Sequence, residues 1–154
     1  MHRAGLSLVL GDIPNNVGAY HEISSNTIVM NRNLLKILQR ITKSRLKKNS
    51  YIFMVLMHEY LHSLGIMEDS KVRQMTREIS SFYLGERHVA ALMAVRPLDE
   101  FFPELPKYFF FRDRGSFETV KKFDSSSVRY VAWAIRILYT MVYGHNGFSW
   151  ENIS

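Results

Sequence analysis

Short apolar segments alternate with turn residues over the first thirty positions of the chain. Residues 6–10, 17–23 and 27–30 are rich in apolar and β-branched side chains, and they predict three strands. Turn-forming residues separate these segments, around Pro14 and at residues 24–26. Because short strands joined by tight turns usually pair with their neighbours, the pattern predicts a small antiparallel sheet.

A helical period replaces the strand pattern after residue 30. Asn31 or Asn33 can cap a helix that runs to about residue 46, with its leucines at three- and four-residue spacing. A polar break then precedes residues 51–64, which are apolar on nearly every side. This second helix is therefore expected to be central and buried, and Gly65 is suited to the position after its last turn.

Two further helices and an irregular segment are predicted after Gly65. Residues 69–84 predict a third helix that ends at Gly85, and residues 86–95 predict a fourth that stops before an Arg-Pro pair. The segment 101–111 is rich in Phe and Pro. It is expected to form a loop packed over the core, or a partner-binding surface if its aromatic side chains are exposed. A last helix is expected to begin at residues 125–127.

Length and composition favour one domain with an ordinary hydrophobic core. The chain has 154 residues, of which 47% are apolar and 22% charged, as is usual for a globular domain. The expected fold class is α+β, with a small antiparallel sheet packed on a mainly helical body. Residues 17–95 would carry the motif described below, and residues 96–154 would form a helical extension. The chain contains no Cys, so any metal must be held by His, Asp or Glu.

Positive charge is concentrated in one part of the chain. The net charge is +6, and no acidic residue occurs between Glu22 and Glu59. That interval contains a basic stretch, residues 32–48, whose positive side chains are Arg32, Lys36, Arg40, Lys43, Arg45, Lys47 and Lys48. Such a run is most often a solvated helix face, and the alternative is contact with nucleic acid or an acidic protein partner.

No segment of the sequence has the pattern of a signal peptide or of a membrane-spanning helix. The apolar run near the N-terminus is short and meets turn residues at once, so a buried strand is expected there. Residues 128–143 are apolar but include Arg129 and Arg136, so a core helix is expected instead of a span. The absence of Cys suits a cytoplasmic location.

One cluster of titratable residues stands out in the second predicted helix. His58, Glu59 and His62 follow the spacing HExxH. On a helix, residues four apart lie one above the other, so both imidazoles can reach one ion at about 2.0–2.1 Å. Glu59 lies about 100° further round the helix, where it can contact a metal-bound water instead of the ion. The spacing therefore predicts two zinc ligands and a general base.

The surroundings of the motif strengthen this interpretation. His58, Glu59 and His62 are the only charged residues or histidines between Tyr51 and Met67. Burying three such groups is costly unless each has a partner, and a metal ion with its water would supply partners for all three. The alternative is a buried His/Glu network that holds no metal.

At this point the sequence resembles a known family. Residues 58–65 look like the active-site helix of the zincin metallopeptidases, and residues 26–31 resemble the edge strand that lines the cleft in that family. The resemblance covers about residues 17–95 and is nearest to the small gluzincins. It implies a zinc-dependent metallopeptidase that acts on a peptide or protein substrate, with Glu59 as general base.

The third zinc ligand is left open by the sequence. Glu78 lies where the gluzincin pattern places a glutamate, on the helix after the motif, and it is the favoured candidate. His88 is a second candidate, although a straight helix would place it far from the motif. Glu68 stands where the metzincin pattern has a histidine, and Asp69 follows it, but both could simply favour the start of the next helix.

Two functions from different classes follow from these residues. The first is zinc-dependent peptide hydrolysis, in which Tyr20, His21 or Tyr83 could donate a hydrogen bond to the oxyanion. The second is a non-catalytic binding module with a zincin-like fold, whose basic stretch would contact nucleic acid or an acidic protein. Zinc content would separate the two.

Overall fold

Four strands form one mixed sheet at one side of the molecule. The computed structural model describes residues 5–109 and 117–119. Within these residues the strands are β1 (Ser7–Gly11), β2 (Ala19–His21), β3 (Thr27–Asn31) and β4 (Phe117–Thr119). They lie in the order β2-β3-β1-β4. The three strands predicted near the N-terminus are therefore all present.

The pairing of these strands differs from the purely antiparallel sheet that the sequence predicted. β2 pairs antiparallel with β3, but β1 pairs parallel with β3, with Ser7 opposite Thr27 and Gly11 opposite Asn31. The hairpin formed by β2 and β3 occupies one edge of β3, so β1 takes the other edge in the parallel direction. β4 then adds antiparallel to β1. The α+β class is confirmed, and the sheet is mixed.

Four helices form the body of the described structure. They are α1 (Arg32–Ile41), α2 (Arg45–Ser63), α3 (Asp69–Leu84) and α4 (Val89–Met93). The main difference from the predicted boundaries is at the start of α2, which includes residues 47–50 instead of beginning after them. The reason is a cap, since the side chain of Ser44 accepts a hydrogen bond from the backbone N–H of Lys47 at 3.2 Å.

Asn31 joins the sheet to the helical body. It ends β3 and caps α1, where its side-chain oxygen accepts from the Leu34 N–H at 3.1 Å. Its side-chain nitrogen donates to the carbonyls of Ile13, Pro14 and Val17 at 2.9–3.1 Å. We call this group the Asn31 cluster. Asn31 is fully buried, so the loop before β2 is held by contacts that water does not replace.

The first half of α2 lies at the centre of the core, as the apolar pattern predicted. Its residues 50–55 are all buried. The described part of the Phe-rich segment packs over this core; a 3-10 turn at Leu98–Glu100 precedes it, and a second at Leu105–Tyr108 lies within it. Phe102 is buried, and its ring meets that of Tyr51 edge to face at 6.3 Å.

Part of the chain after residue 96 belongs to the sheet, because β4 pairs with β1. The helix predicted to begin at residues 125–127 lies outside the described residues, as do Phe110 and Phe111. In the part of the chain that the structure describes, no helix has the length and apolar character needed to cross a membrane.

Candidate metal centre

The C-terminal half of α2 presents the two histidines of the motif. His58 and His62 lie one turn apart, and their Nε2 atoms are 3.1 Å from each other. Their side chains are 17% and 19% exposed, so both are partly shielded from solvent. This is the arrangement that the HExxH spacing predicted, with two imidazoles directed at one point.

A tight turn brings a carboxylate to the same point. Gly65 has a φ of +93°, which favours glycine, and the N–H of Ile66 bonds back to the carbonyl of Leu61. The chain then reverses and α3 begins at Asp69. Its Oδ1 lies 3.1 Å from Nε2 of His58 and 3.8 Å from Nε2 of His62.

His58, His62 and Asp69 form a group that we call the ligand cluster. Each offers one ligand atom, and the three atoms lie within 4.8 Å of one another. A tetrahedral ion with ligands at about 2.0–2.1 Å separates its ligand atoms by about 3.3 Å. The three observed distances, 3.1, 3.1 and 3.8 Å, are close to that value. The cluster therefore fits zinc in both spacing and donor chemistry.

The ring of His62 is fixed by a second hydrogen bond. Its Nδ1 lies 2.8 Å from the backbone carbonyl of Ile66, in the turn between α2 and α3. A carbonyl can only accept, so Nδ1 carries the proton and Nε2 of the neutral ring keeps its lone pair towards the cluster. Contacts of this kind orient metal-bound histidines in proteins generally.

Burial favours the ligand form of His58, and the neighbouring Arg73 favours that of Asp69. Burial lowers the pKa of His58 despite the opposing influence of Asp69, which favours a neutral imidazole. Desolvation alone would raise the pKa of Asp69, but the charge of Arg73 and hydrogen bonds from Arg73 and His58 act against it, so this pKa is lowered. Arg73 lies one turn along α3, with its Nε 2.8 Å from Oδ2 of Asp69.

Glu59 lies beside the ligand cluster and contacts β2. It is buried, at 8% exposure, and its carboxylate accepts a hydrogen bond from the backbone N–H of His21. Burial raises its pKa, although His62 and the His21 N–H act in the opposite direction. A carboxylate with a raised pKa beside a candidate metal site has the properties of a general base.

A cavity of about 490 Å³ lies beside these residues. His58, Glu59 and Arg73 all contribute to its wall. The rest of its lining is mostly apolar and includes Met54, Val55, Met93, Ala94, Leu98 and Phe109. A concave, mainly apolar space with a few convergent polar groups is typical of ligand sites, and this volume lies in their usual range of about 300–1,000 Å³.

Glu78, the favoured third ligand in the sequence, lies elsewhere on α3. It is exposed, and its carboxylate accepts a hydrogen bond from the side chain of Gln74 at 2.8 Å. The buried face of α3 is formed by Val72, Thr76 and Ser80. Glu78 is two residues beyond Thr76, which places it about 200° round the helix from that face. The structure therefore brings Asp69, and not Glu78, to the histidines.

The two other candidates have local roles at helix ends. His88 caps α4, and its Nδ1 accepts from the backbone N–H of Ala90 at 3.1 Å. Glu68 precedes α3 and accepts from the hydroxyl of Ser70 at 2.6 Å. Among the residues that the structure describes, neither belongs to a group of potential metal ligands.

The strand beside the candidate site is β2. Residues 26–31 were predicted to form an edge strand, as in a zincin cleft. They form β3, which lies inside the sheet between β2 and β1. β2 lies against α2, and the backbone of its His21 contacts Glu59. The prediction was wrong because a strand's sequence does not reveal which strands flank it.

The basic stretch is partly used by the fold itself. Arg32 lies 3.5 Å from Asp12 and donates to the carbonyl of Leu10, while Nζ of Lys47 donates to the carbonyl of Phe101 at 3.1 Å. These contacts join α1 to the sheet and α2 to the Phe-rich segment. Contact of the stretch with nucleic acid or an acidic partner stays a prediction.

Two features of the site were not found in the sequence. The cavity could not be anticipated, because it is formed by side chains from distant segments. Arg73 left one signal, its spacing of four residues from Asp69, which is typical of an ion pair on a helix.

Comparisons of the chain with protein-family models, with curated proteins and with solved structures gave no match. The likeness to the zincins therefore rests on the motif alone.

Proposed function

We propose that the protein is a zinc-dependent hydrolase that cleaves peptide bonds. His58, His62 and Asp69 would hold the ion, and Glu59 would act as general base. The observation that carries the proposal is the convergence of three ligand atoms within 4.8 Å, directly beside a buried carboxylate that shares a cavity wall with His58.

The donor set suits a catalytic zinc site. Two imidazoles and one carboxylate are a ligand set that catalytic zinc uses in other enzymes, with a fourth position left for water or substrate. Zinc, when bound, lowers the pKa of its water and polarises the carbonyl group of the substrate. Asp69 would supply the negative charge of the set, and the Ile66 carbonyl would keep His62 in the tautomer that can bind a cation.

Glu59 would move the proton during hydrolysis. It would take one proton from the attacking water as the oxygen of that water bonds to the carbonyl carbon. It would then deliver this proton to the amide nitrogen as the carbon–nitrogen bond breaks. The second proton of the water stays on the new carboxyl group until it is lost to the amine or to solvent, so the products are a carboxylate and an ammonium group; one water is consumed and no oxidant or reductant is required.

The cavity would hold a side chain of the substrate next to the scissile bond. Its apolar lining favours a bulky apolar side chain, because burying such a group releases water from both surfaces. Val55 contributes to this lining one turn before Glu59. A larger residue at Val55 would therefore reduce cleavage of bulky substrates more than that of small ones.

Metal content is the decisive experiment. The purified protein is loaded with zinc, dialysed and measured by mass spectrometry, and we expect about one zinc per chain. His58→Ala, His62→Ala and Asp69→Ala should each lose most of it. Glu78→Ala is the matched control, because it removes an exposed carboxylate from the same helix as Asp69. A parent protein that cannot be loaded with zinc would refute the proposal.

A further inference from the structure

Attack of water on a carbonyl group places negative charge on the carbonyl oxygen, and a hydrolase needs a donor at that oxygen. The donors suggested by the sequence are poorly placed for this role. Nε2 of His21 lies 3.1 Å from the carbonyl of Ser25, and the ring of Tyr83 packs on Phe82 at 5.0 Å. None of His21, Tyr83 and Tyr20 lines the cavity beside Glu59.

Arg73 is better placed than these three residues. It lines the cavity together with His58 and Glu59. Its side chain is 62% exposed, so the guanidinium is accessible from solvent. Arg73 lies one turn after Asp69 on α3, so its charge is next to the ligand cluster.

The hydrogen bonding of Arg73 leaves donors available. Its Nε contacts Oδ2 of Asp69 at 2.8 Å, and this pair is the only polar contact of the Arg73 guanidinium with residues that the structure describes. A guanidinium has five N–H donors in one plane and keeps its charge at any working pH. With Nε engaged, the two terminal nitrogens can both donate to a single oxygen.

We propose that Arg73 is a catalytic residue that stabilises the oxyanion of the tetrahedral intermediate. As the water oxygen bonds to the carbonyl carbon, the electron pair of the C=O double bond moves to the carbonyl oxygen, which accepts hydrogen bonds from Arg73. The pair returns to the double bond when the carbon–nitrogen bond breaks, so Arg73 gains and loses no proton. This inference rests on the proposed zinc hydrolase function.

Arg73 also holds Asp69, so the experiment must separate positioning from catalysis. Zinc affinity is measured by competition with a chromogenic chelator, and steady-state cleavage of a peptide is measured at saturating zinc. For Arg73→Ala we expect zinc to bind at most about 10-fold more weakly, in the lower range for loss of such a supporting contact. At saturating zinc, kcat should fall about 10²–10³-fold with a smaller change in KM, as for loss of an oxyanion donor.

A binding measurement supports the kinetics. A phosphonate analogue of the peptide carries negative oxygens where the oxyanion would form, whereas an uncleavable ketomethylene analogue is neutral there. The zinc-loaded Arg73→Ala protein should bind the phosphonate more than about 10-fold more weakly than the parent does and bind the ketomethylene analogue almost equally. Arg73→Lys should restore part of the phosphonate affinity, because it keeps the charge without the forked donors.

Arg77→Ala is the matched control. Arg77 lies one turn further along α3, is exposed, and neither belongs to the ligand cluster nor lines the cavity. The variant should behave as the parent in every measurement. If Arg73→Ala weakens zinc binding but leaves kcat and phosphonate affinity unchanged at saturating zinc, Arg73 only positions Asp69 and the inference is wrong. A parent protein that binds no zinc or cleaves no peptide refutes the proposed function before the variants are compared.

Discussion

The Asn31 cluster and the ligand cluster are polar groups of opposite character. In the Asn31 cluster each donor meets an acceptor, since the amide nitrogen donates to three carbonyls and the amide oxygen accepts one N–H. In the ligand cluster the atoms that meet are two imidazole nitrogens and a carboxylate oxygen. If both rings are neutral, the proton of His62 is on Nδ1 and outside the group of three atoms. The three atoms then share at most one proton, which is that of His58.

This difference separates polar groups that hold a fold together from those that are arranged for a ligand. Complementary donors and acceptors stabilise the folded chain without any addition. Converging lone pairs repel one another unless a proton or a cation lies between them. We therefore expect changes in the ligand cluster to affect metal binding and cleavage, and changes in the Asn31 cluster to affect the free energy of unfolding. Four predictions test this separation, and a fifth refines it.

The largest expected effect is on catalysis. Glu59→Gln keeps the size of the side chain but removes the proton acceptor, so peptide cleavage should fall about 10²–10⁴-fold. Zinc content should be unchanged, because Glu59 is outside the ligand cluster. Cleavage rates and metal content are measured on the same preparation. Parent-like cleavage by Glu59→Gln would mean that another group accepts the proton.

Zinc itself should stabilise the folded chain. A ligand that binds only the folded state adds about 4 kcal/mol when its free concentration is a thousand times its Kd. Urea unfolding with and without zinc measures this difference, and Asp69→Asn should reduce it strongly. In the absence of zinc, Asp69→Asn and the parent should unfold at nearly the same urea concentration. A large difference there would make Asp69 structural.

Asn31→Ala should show the reverse behaviour. It removes the cap of α1 and the side-chain donor shared by three partly buried carbonyls, of which that of Pro14 keeps another donor, the Val17 N–H, so unfolding should become easier by about 2–4 kcal/mol. Zinc should still bind to the fraction that is folded, with affinity close to that of the parent. Denaturant unfolding and a zinc titration at low temperature check the two statements. A loss of zinc affinity in the folded protein would show that the two clusters are coupled.

Gly65→Ala should affect both properties slightly. Gly65 has a positive φ and open space around it, so the added methyl group costs about 1–2 kcal/mol through the backbone alone. Because the turn also positions Asp69, zinc affinity should weaken a little as well. Thermal unfolding and a zinc titration are the measurements, and Gly65→Asn should be milder because asparagine tolerates this conformation. Equal effects of Ala and Asn would argue against backbone strain.

The smallest effect concerns His88, which caps α4 without belonging to either cluster. Burial lowers its pKa, and its Nδ1 must be unprotonated to accept from Ala90. Since the folded pKa lies below the unfolded value, its contribution to stability is present above about pH 6.5 and is lost as the pH falls through the folded pKa. His88→Ser keeps a cap that does not titrate, so its unfolding free energy should depend less on pH in this range. An unchanged pH dependence would contradict the role.

Local patterns predicted the elements of the fold and the core of the site. The apolar run of α2, the HExxH spacing and Gly65 act within a few residues of one another, so the sequence was sufficient to place His58, Glu59 and His62 on one buried helix. Local patterns did not predict strand pairing. β1 runs parallel to its neighbour because it joins the β2–β3 hairpin on the β3 side, and no local pattern shows which side it takes. The start of α2 was also not predicted, because the polar residues 47–50 after the Ser44 cap were interpreted as a break between helices.

The rotation of α3 about its axis determines which of its carboxylates reaches His58 and His62. The sequence favoured Glu78 on this helix over Asp69, and the choice of Asp69 follows from the face that packs inward. Small buried residues, Thr76 and Ser80, define that face. A hydrophobic pattern gives them little weight, because neither is apolar enough to mark a core position.

The ligand cluster, Glu59 and Arg73 all come from one continuous stretch, residues 58–73, which forms the end of α2, the Gly65 turn and the start of α3. Closing so short a loop costs little chain entropy, whereas the parallel pairing of β1 with β3 must bring together residues twenty positions apart. We expect this helix pair to form early in folding and the sheet to follow. An ion present during folding would then meet its ligands in a partly folded chain and favour the remaining steps.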